Sequence, residues 1–267
     1  MYPYIQIFGH SISSYGLIAV LAAILCGVLF ITALKKTGAM IEDGILFFVF
    51  VIFGVIVGGH LLYAITQYRY IPSLFQRAEL SLWIARVQYV FGGSVFYGGL
   101  LGGLGSGYLG LKILKQDIHT YSDFMAPIIP LFHGIARIGC FLAGCCYGVP
   151  CEWGFAAEGN IIVPEVNGIT RFPIQLLESA CNFVLAGILL LLLQRSRQHP
   201  MLSGNLLKIY LIVYGIIRFA DEFLRGDAHR GFWGVLSTSQ WISLVTVSVG
   251  AILLARSIIG NKTEEND

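Results

Sequence analysis

Over long stretches of this chain, charged positions do not alternate with apolar ones; they are absent. Residues 15–34, 44–66 and 87–111 contain no Asp, Glu, Lys or Arg, and neither do 233–255. Residues 124–151 carry a single charged residue, Arg137, and 172–194 a single one, Glu178. Residues 205–224 begin apolar and gather Arg218, Asp221 and Glu222 towards their end. Each run is long enough to cross a bilayer core, which takes about 20 residues at about 1.5 Å rise. Barrel strands are about ten residues long and alternate between two faces, and these runs are continuous. The pattern predicts an all-α polytopic membrane protein with seven transmembrane helices.

The polar segments between the runs refine this picture. Two of them, 67–86 and 152–171, are long enough to hold structure. The first carries Tyr68, Tyr70 and Trp83, with Tyr89 just beyond, aromatics suited to the headgroup level. An outer interfacial segment is expected at 67–86. Lys35, Lys36, Lys112, Lys115, Arg195, Arg197, Lys208, Arg256 and Lys262 fall on one side of the predicted spans, against Arg69, Arg77, Arg86, Arg171, Arg225 and Arg230 on the other. The excess, which includes every lysine, places the N-terminus outside and the C-terminus in the cytoplasm. No basic stretch precedes the first span, so it is expected to be an anchor and not a cleaved signal. With no linker, low-complexity stretch or internal repeat, residues 1–267 read as one membrane-embedded domain. Composition agrees: 56% of residues are hydrophobic and 12% charged, about half the charged share of a soluble domain. The net charge of +2 gives no indication of a nucleic-acid partner; the membrane is the expected one.

Charged residues inside such runs are costly and usually face a bundle interior with a partner. Arg137 is either a structural salt bridge or an anion site, because guanidinium is permanently charged and grips phosphate through paired hydrogen bonds. Arg218, Asp221, Glu222 and Arg225 are spaced i, i+3, i+4 and i+7, which predicts one shared helix face. Two arginines on separate helices, Arg137 and Arg218, are placed to clamp one phosphate, and in a bilayer that phosphate is a lipid headgroup. In "RFPIQLLES", Gln175 and Glu178 share a face one turn into the next span, so Glu178 either pairs with an arginine or acts in catalysis. The run "FGGSVFYGGLLGGLGSGYLG" is rich in glycine: close helix packing explains it, and so does an unwound segment at Gly98 and Gly99 lining a cavity, with Tyr97 before them.

Six cysteines are present. Cys26 and Cys181 read as core filling. Cys140, Cys145, Cys146 and Cys151 form a C-x4-C-C-x4-C cluster in which a structural or disulfide role, for instance through Cys151, leads. A reactive thiol beside Arg137 comes second, with Cys140 one turn away. A metal site is last, because the spacing differs from paired C-x2-4-C; no metal and no cofactor is expected.

Five segments, in order, carry a resemblance: "SSYGL", "FYGGLLGG", "ARIGCFLAGCCYG", "PIQLLES" and "RFADEFLR". The chain resembles the bacterial prolipoprotein diacylglyceryl transferases over nearly its whole length. That resemblance implies seven membrane helices in the bacterial cytoplasmic (inner) membrane. It also implies transfer of a diacylglyceryl group from phosphatidylglycerol to the thiol of a lipobox cysteine. Carried over, it implies catalytic roles for Arg137, Arg218 and Glu222, and Tyr97 and Cys140 are catalytic candidates at positions where the chain departs from the family. It implies substrate-binding roles for Tyr15, His60, Gly98, Gly99, Gln175, Glu178 and Arg225. The family's histidine before the paired glycines is Tyr97 here, its signature asparagine is Cys140, its signature glutamate is Cys145, and an arginine of the second helix is His60.

The expected partners are therefore phosphatidylglycerol as donor and a lipobox peptide as acceptor. Tyr97, His60 or Glu178 would take the acceptor's proton. The lost histidine, asparagine and glutamate keep open a transferase of the same fold with another acceptor. The thiol cluster keeps open a membrane thiol oxidoreductase, and a transporter without chemistry is the remaining alternative.

Overall fold

The computed structural model describes residues 2–161, 163–196, 198–199, 201–227 and 231–264; Arg197 and Arg230 of the loop-charge pattern lie outside them. Helices dominate: α1 (Ser14–Lys35), α2 (Ile41–Thr66), α3 (Leu80–Phe91), α4 (Phe96–Leu114), α5 (Ile118–Ala143), α6 (Ile174–Ser196), α7 (Leu206–Asp221) and α8 (Thr238–Glu264). Five of these, α1, α2, α5, α6 and α8, are long and apolar enough to cross a membrane. Short strands fill the connections. β1 (Tyr4–Ile7) and β2 (His10–Ser13) form an antiparallel hairpin before α1. Its two-residue turn, Phe8-Gly9, has both residues at positive φ, the geometry that matches strand twist. β3 (Pro150–Phe155) follows α5, and β4 (Phe232–Trp233) pairs with β5 (Leu236–Ser237) before α8.

Several boundaries differ from the sequence pattern, for local reasons. The uncharged run 87–111 is not one helix. It breaks at 92–95, where Gly92 and Gly93 weaken helix propensity and α2 supplies alternative partners. His60 Nδ1 lies 2.7 Å from the Phe91 carbonyl and 2.8 Å from that of Gly93, and Val95 N–H donates to the Gly59 carbonyl at 3.1 Å. The expected interfacial segment holds a 3-10 helix, Tyr68–Phe75, and the start of α3. α5 stops at Ala143, eight residues before the predicted end, because Gly144 and Cys146 take φ of 77° and 55°. The last run opens as the β4–β5 hairpin, so α8 begins at Thr238 and not at Trp233.

The described contacts divide the chain into two compact units, Ile31–Ile118 and Met1–Phe30 with His119–Asp267. In the first, α2 and α4 approach backbone to backbone. A Cβ on Gly54 would overlap the Gly102 carbonyl, and one on Gly58 the Gly98 carbonyl; Gly98 and Gly102 meet the reciprocal obstruction. The i, i+4 glycines of both helices thus form a small-residue seam, and Ser106 Oγ donates across it to the Phe50 carbonyl at 2.6 Å. Gly98 and Gly99 remain helical; the packing explanation of the glycine run accounts for them and the unwound segment does not.

In the second unit, Ala126 of α5, Leu185 and Leu189 of α6, and Leu206, Tyr210 and Tyr214 of α7 form the core. Gly134 lets α5 come against α6, where Ser179 Oγ donates to the Gly134 carbonyl at 2.8 Å. α7 is anchored from α5: the buried carboxylate of Asp123 accepts from Gly204 N–H at 2.6 Å and Leu206 N–H at 3.0 Å, capping the α7 N-terminus. These contacts set the register of α5, α6 and α7.

Candidate active site

Register and periodicity bring three helices to one carboxylate. On α5, His133, Arg137 and Cys140 follow one another at i, i+4 and i+7 and are all buried. On α6, Gln175, Glu178 and Asn182 form a matching buried stripe. α7 ends with Arg218 and Asp221 buried. Glu178 is the meeting point. Its Oε2 pairs with Arg137 Nε, while its Oε1 lies 3.7 Å from Arg218 Nη1 and 4.0 Å from Arg225 Nη1. Arg218 is gripped again by Glu222 at 2.6 Å, the i+4 partner, and donates to Ser239 Oγ at 3.2 Å. Arg225 forks onto Asp227, with Nε to Oδ1 at 2.9 Å.

One expectation fails here in its detail. The α7 helix does not continue through Arg225: it tightens into a 3-10 turn at Glu222–Leu224, and Arg225 itself is extended. The four charged residues therefore do not share one continuous helix face. Arg225 reaches Glu178 through a weave of loop bonds. Val149 N–H donates to the Leu224 carbonyl at 3.0 Å, Gly226 N–H to that of Tyr147 at 2.9 Å, and Phe172 N–H to that of Val149 at 2.9 Å. These tie the segment after α5 to those before α6 and after α7.

Among the described residues, three guanidiniums meet three carboxylates within 4.0 Å, and every side chain involved is buried except that of Asp227, which is 16% exposed. Glu222 and Asp227 each serve one arginine; Glu178 serves all three. Arg218 Nη1, fully buried, makes no hydrogen bond and has only the 3.7 Å approach of Glu178. A guanidinium N–H left in that state favours an anionic oxygen. Fixed cations in buried, low-dielectric surroundings are suited to holding a phosphate and to stabilising charge that develops on it.

The thiols divide. Cys140, Cys145 and Cys146 place their sulfurs within 4.8 Å of one another, and Cys140 Sγ lies 3.8 Å from Arg137 Nη1. Cys151 does not belong with them: it lies in β3, and its thiol donates to the Trp153 carbonyl. All six cysteines are free, so the disulfide through Cys151 is not formed. Gln175 Nε2 donates to the Cys145 carbonyl at 2.8 Å, fastening the turn that carries the cluster. Tyr15, at the start of α1, packs on Gly139.

Tyr97, His60, Gly98 and Gly99 belong to the other unit. Tyr97 is buried in the first turn of α4, the glycines line the α2–α4 seam, and His60 holds the 92–95 break. Four residues of the site were not singled out from the sequence. His133 Nε2 faces Arg137 Nε at 3.2 Å, and its i−4 spacing was the available signal. Asp227 is two residues beyond Arg225, a spacing that no helical rule marks. Ser239 and Asn182, whose Nδ2 donates to the Glu178 carbonyl at 2.7 Å, carry no charge to draw attention inside an apolar run.

The family model described as prolipoprotein diacylglyceryl transferase matches residues 3–256. A Clostridium tetani protein named phosphatidylglycerol–prolipoprotein diacylglyceryl transferase is 36% identical over 248 residues, covering 92% of this chain and 93% of that one. A Clostridium perfringens protein of the same name, numbered 2, is 34% identical over 256 residues, covering 93% and 92%. A shorter match, 32% over 208 residues, is to the Polynucleobacter asymbioticus enzyme of that name. With the family model spanning nearly the full length and the two Clostridium relatives matched over more than nine-tenths of both chains, this chain belongs to the prolipoprotein diacylglyceryl transferase family.

Proposed function

We propose that this chain transfers the diacylglyceryl group of phosphatidylglycerol to the thiol of a lipobox cysteine in a prolipoprotein. The observation that carries the reading is the convergence of Arg137, Arg218 and Arg225 on the single carboxylate of Glu178. An anionic headgroup entering there has three guanidiniums to bind. Glu178, engaged by all three, orients them. In the reaction the acceptor sulfur forms a bond to the terminal glyceryl carbon, and the carbon–oxygen bond to phosphate breaks. The electron pair stays on a phosphate oxygen held by the arginines, and glycerol phosphate leaves. An apolar groove of about 260 Å³ lies between α6 and α7, lined by Ala180, Cys181, Val184 and Ile188 on one side and Val213 and Ile217 on the other. Its wholly apolar wall suits an acyl chain. Ile217 adjoins Arg218 in sequence, which links chain and headgroup.

The finer assignments belong to the same proposal. The chain acts as one transferase domain with seven spans, α4 and α7 completing the five long apolar helices. The loop-charge excess supports an outer N-terminus and a cytoplasmic C-terminus in the bacterial inner membrane. The acceptor's proton is released to water as the sulfur–carbon bond forms, and the roles of Tyr97 and His60 rest on the resemblance alone.

The decisive measurement is mass spectrometry of a lipobox peptide after incubation with the purified protein and phosphatidylglycerol. A diacylglyceryl adduct is expected with the parent and absent for Arg137→Ala and Arg218→Ala, both still membrane-inserted. Undiminished adduct from both variants overturns the arginine site, and lipid consumption with no peptide adduct moves the reading to another acceptor.

A further inference from the structure

The three clustered thiols are unlike anything the phosphate-binding reading requires. They are brought together by a specific backbone device. After α5 ends, Gly144 and Cys146 both take positive φ, a region that non-glycine residues seldom occupy, and the chain folds back so that Cys145 and Cys146 lie over Cys140. The three sulfurs fall within 4.8 Å of one another, and all are free.

We propose that Cys140, Cys145 and Cys146 bind one zinc-class d10 cation as thiolates, and that the cation's fourth position receives the acceptor thiol. Three sulfurs at zinc, each bonded at about 2.3 Å in tetrahedral geometry, stand about 3.8 Å apart; rotamer changes within the turn close the remaining distance. Thiolate ligands select soft and borderline ions over magnesium or calcium. Three thiolates around a divalent cation leave one negative charge. Two guanidiniums stand beside it: Arg137, whose Nη1 lies 3.8 Å from Cys140 Sγ, and Arg225, which interacts electrostatically with Cys146. Three protein ligands with an open position is the pattern of catalytic zinc sites; structural ones are closed by four.

The open position answers a need the arginine site leaves unmet. Glu178 is committed to three guanidiniums, and a thiol must lose its proton before it attacks. A thiol coordinated to a divalent cation is deprotonated outright. The proton passes to water, the sulfur lone pair forms the bond to the glyceryl carbon, and the carbon–oxygen bond breaks onto the phosphate beside Arg137. No oxidation or reduction occurs. This second half rests on the transferase reading; the metal site does not.

The test uses the full chain in detergent. With zinc added, about one equivalent is expected to be retained per chain. Peptide mapping after alkylation should show Cys140, Cys145 and Cys146 protected by zinc and Cys181 unaffected, a comparison that needs no variant. Cys140→Ser, Cys145→Ser and Cys146→Ser should each weaken zinc retention at least about tenfold, while Cys26→Ser and Cys181→Ser keep it. Equal alkylation with and without zinc, retention indifferent to the three substitutions, or a disulfide among the three under non-reducing purification overturns the site. In the cobalt-loaded protein, the visible d–d bands should change on adding a lipobox peptide and not its Cys→Ser counterpart. Unchanged bands overturn the acceptor role alone. Zinc bound as described with no lipid adduct formed would instead count against the transferase reading.

Discussion

Glu178→Gln isolates what the shared carboxylate does. The amide has nearly the same size and keeps one acceptor oxygen, so the packing of the α6 stripe is left in place and the charge alone is removed. Opposite unit charges 4 Å apart attract by about 4 kcal/mol at an effective dielectric of about 20. Glu178 has such an approach to Arg218 at 3.7 Å and to Arg225 at 4.0 Å, and a closer one to Arg137. Much of that attraction is offset by the cost of taking a carboxylate out of water, so the net loss on breaking a buried pair is about 3–5 kcal/mol. At about 2–4 °C per kcal/mol for a domain of this size, the variant should melt roughly 6–20 °C below the parent in detergent. The same reasoning fixes a second reading. With Glu222 and Asp227 still paired to one arginine each and the buried Asp221 in the field of all three, the variant loses one anion of the cluster, and an anionic headgroup replaces it. Phosphatidylglycerol should therefore raise the melting temperature of Glu178→Gln more than that of the parent, and a neutral lipid of the same chains should not. A variant that melts with the parent and shows no extra response to the anionic lipid would refute the charge accounting of the site.

Three further outcomes follow from the geometry. Arg218→Lys keeps the charge but cannot reach Glu178, Glu222 and Ser239 together, so adduct formation should fall about 10²–10³-fold in the peptide assay; an undiminished rate would show that a point charge suffices. Asp123→Ala leaves two buried N–H groups at the start of α7 without their acceptor and should cost about 1–3 kcal/mol, read as a lower melting temperature, with transfer per folded molecule retained; an unchanged melting curve rules out the cap. Gly54→Val places a side chain against the Gly102 carbonyl and should destabilise by at least about 1–3 kcal/mol, whereas Gly105→Ala, with nothing within 4 Å of its new methyl group, should not; similar folded yields of the two would contradict the seam.

What the sequence disclosed about the fold follows from which signals are local. The absence of charge over about 20 residues is a property of each segment, and α1, α2, α5, α6 and α8 are the helices whose apolar content is high enough to announce them. The run 87–111 misled because lack of charge does not say whether the backbone stays helical. The break at Gly92 and Gly93 depends on His60, some 30 positions earlier, turning its ring to their carbonyls. The C-terminal ends of α5 and α7 were missed for a related reason: they are set by loop bonds among the segments following α5, preceding α6 and following α7, and no single window contains all three partners.

The site shows the same division at finer scale. Arg137, Glu178 and Arg218 stood out because a charge inside an apolar run needs a partner, and the structure gives the two arginines one partner in common. Arg225 was placed with them by a helical spacing that the chain does not keep, yet it arrives at the same carboxylate. The charge pattern thus constrained the destination more tightly than the backbone route: three buried arginines, with Glu178, Asp221 and Glu222 buried on the helices beside them, leave few arrangements that are electrostatically tolerable. His133, Ser239 and Asn182 were invisible on that criterion because uncharged polar residues cost less inside a span and create no comparable demand. The thiols lie between the two cases. Their sequence spacing pointed to four members and a possible bridge, but proximity is decided by the positive φ at Cys146, which excludes Cys151 and leaves three. A trio of thiols beside an arginine, on a chain of the prolipoprotein diacylglyceryl transferase family, brings the two proposed halves of the site together: one would hold the anion that leaves, and the other the sulfur that attacks.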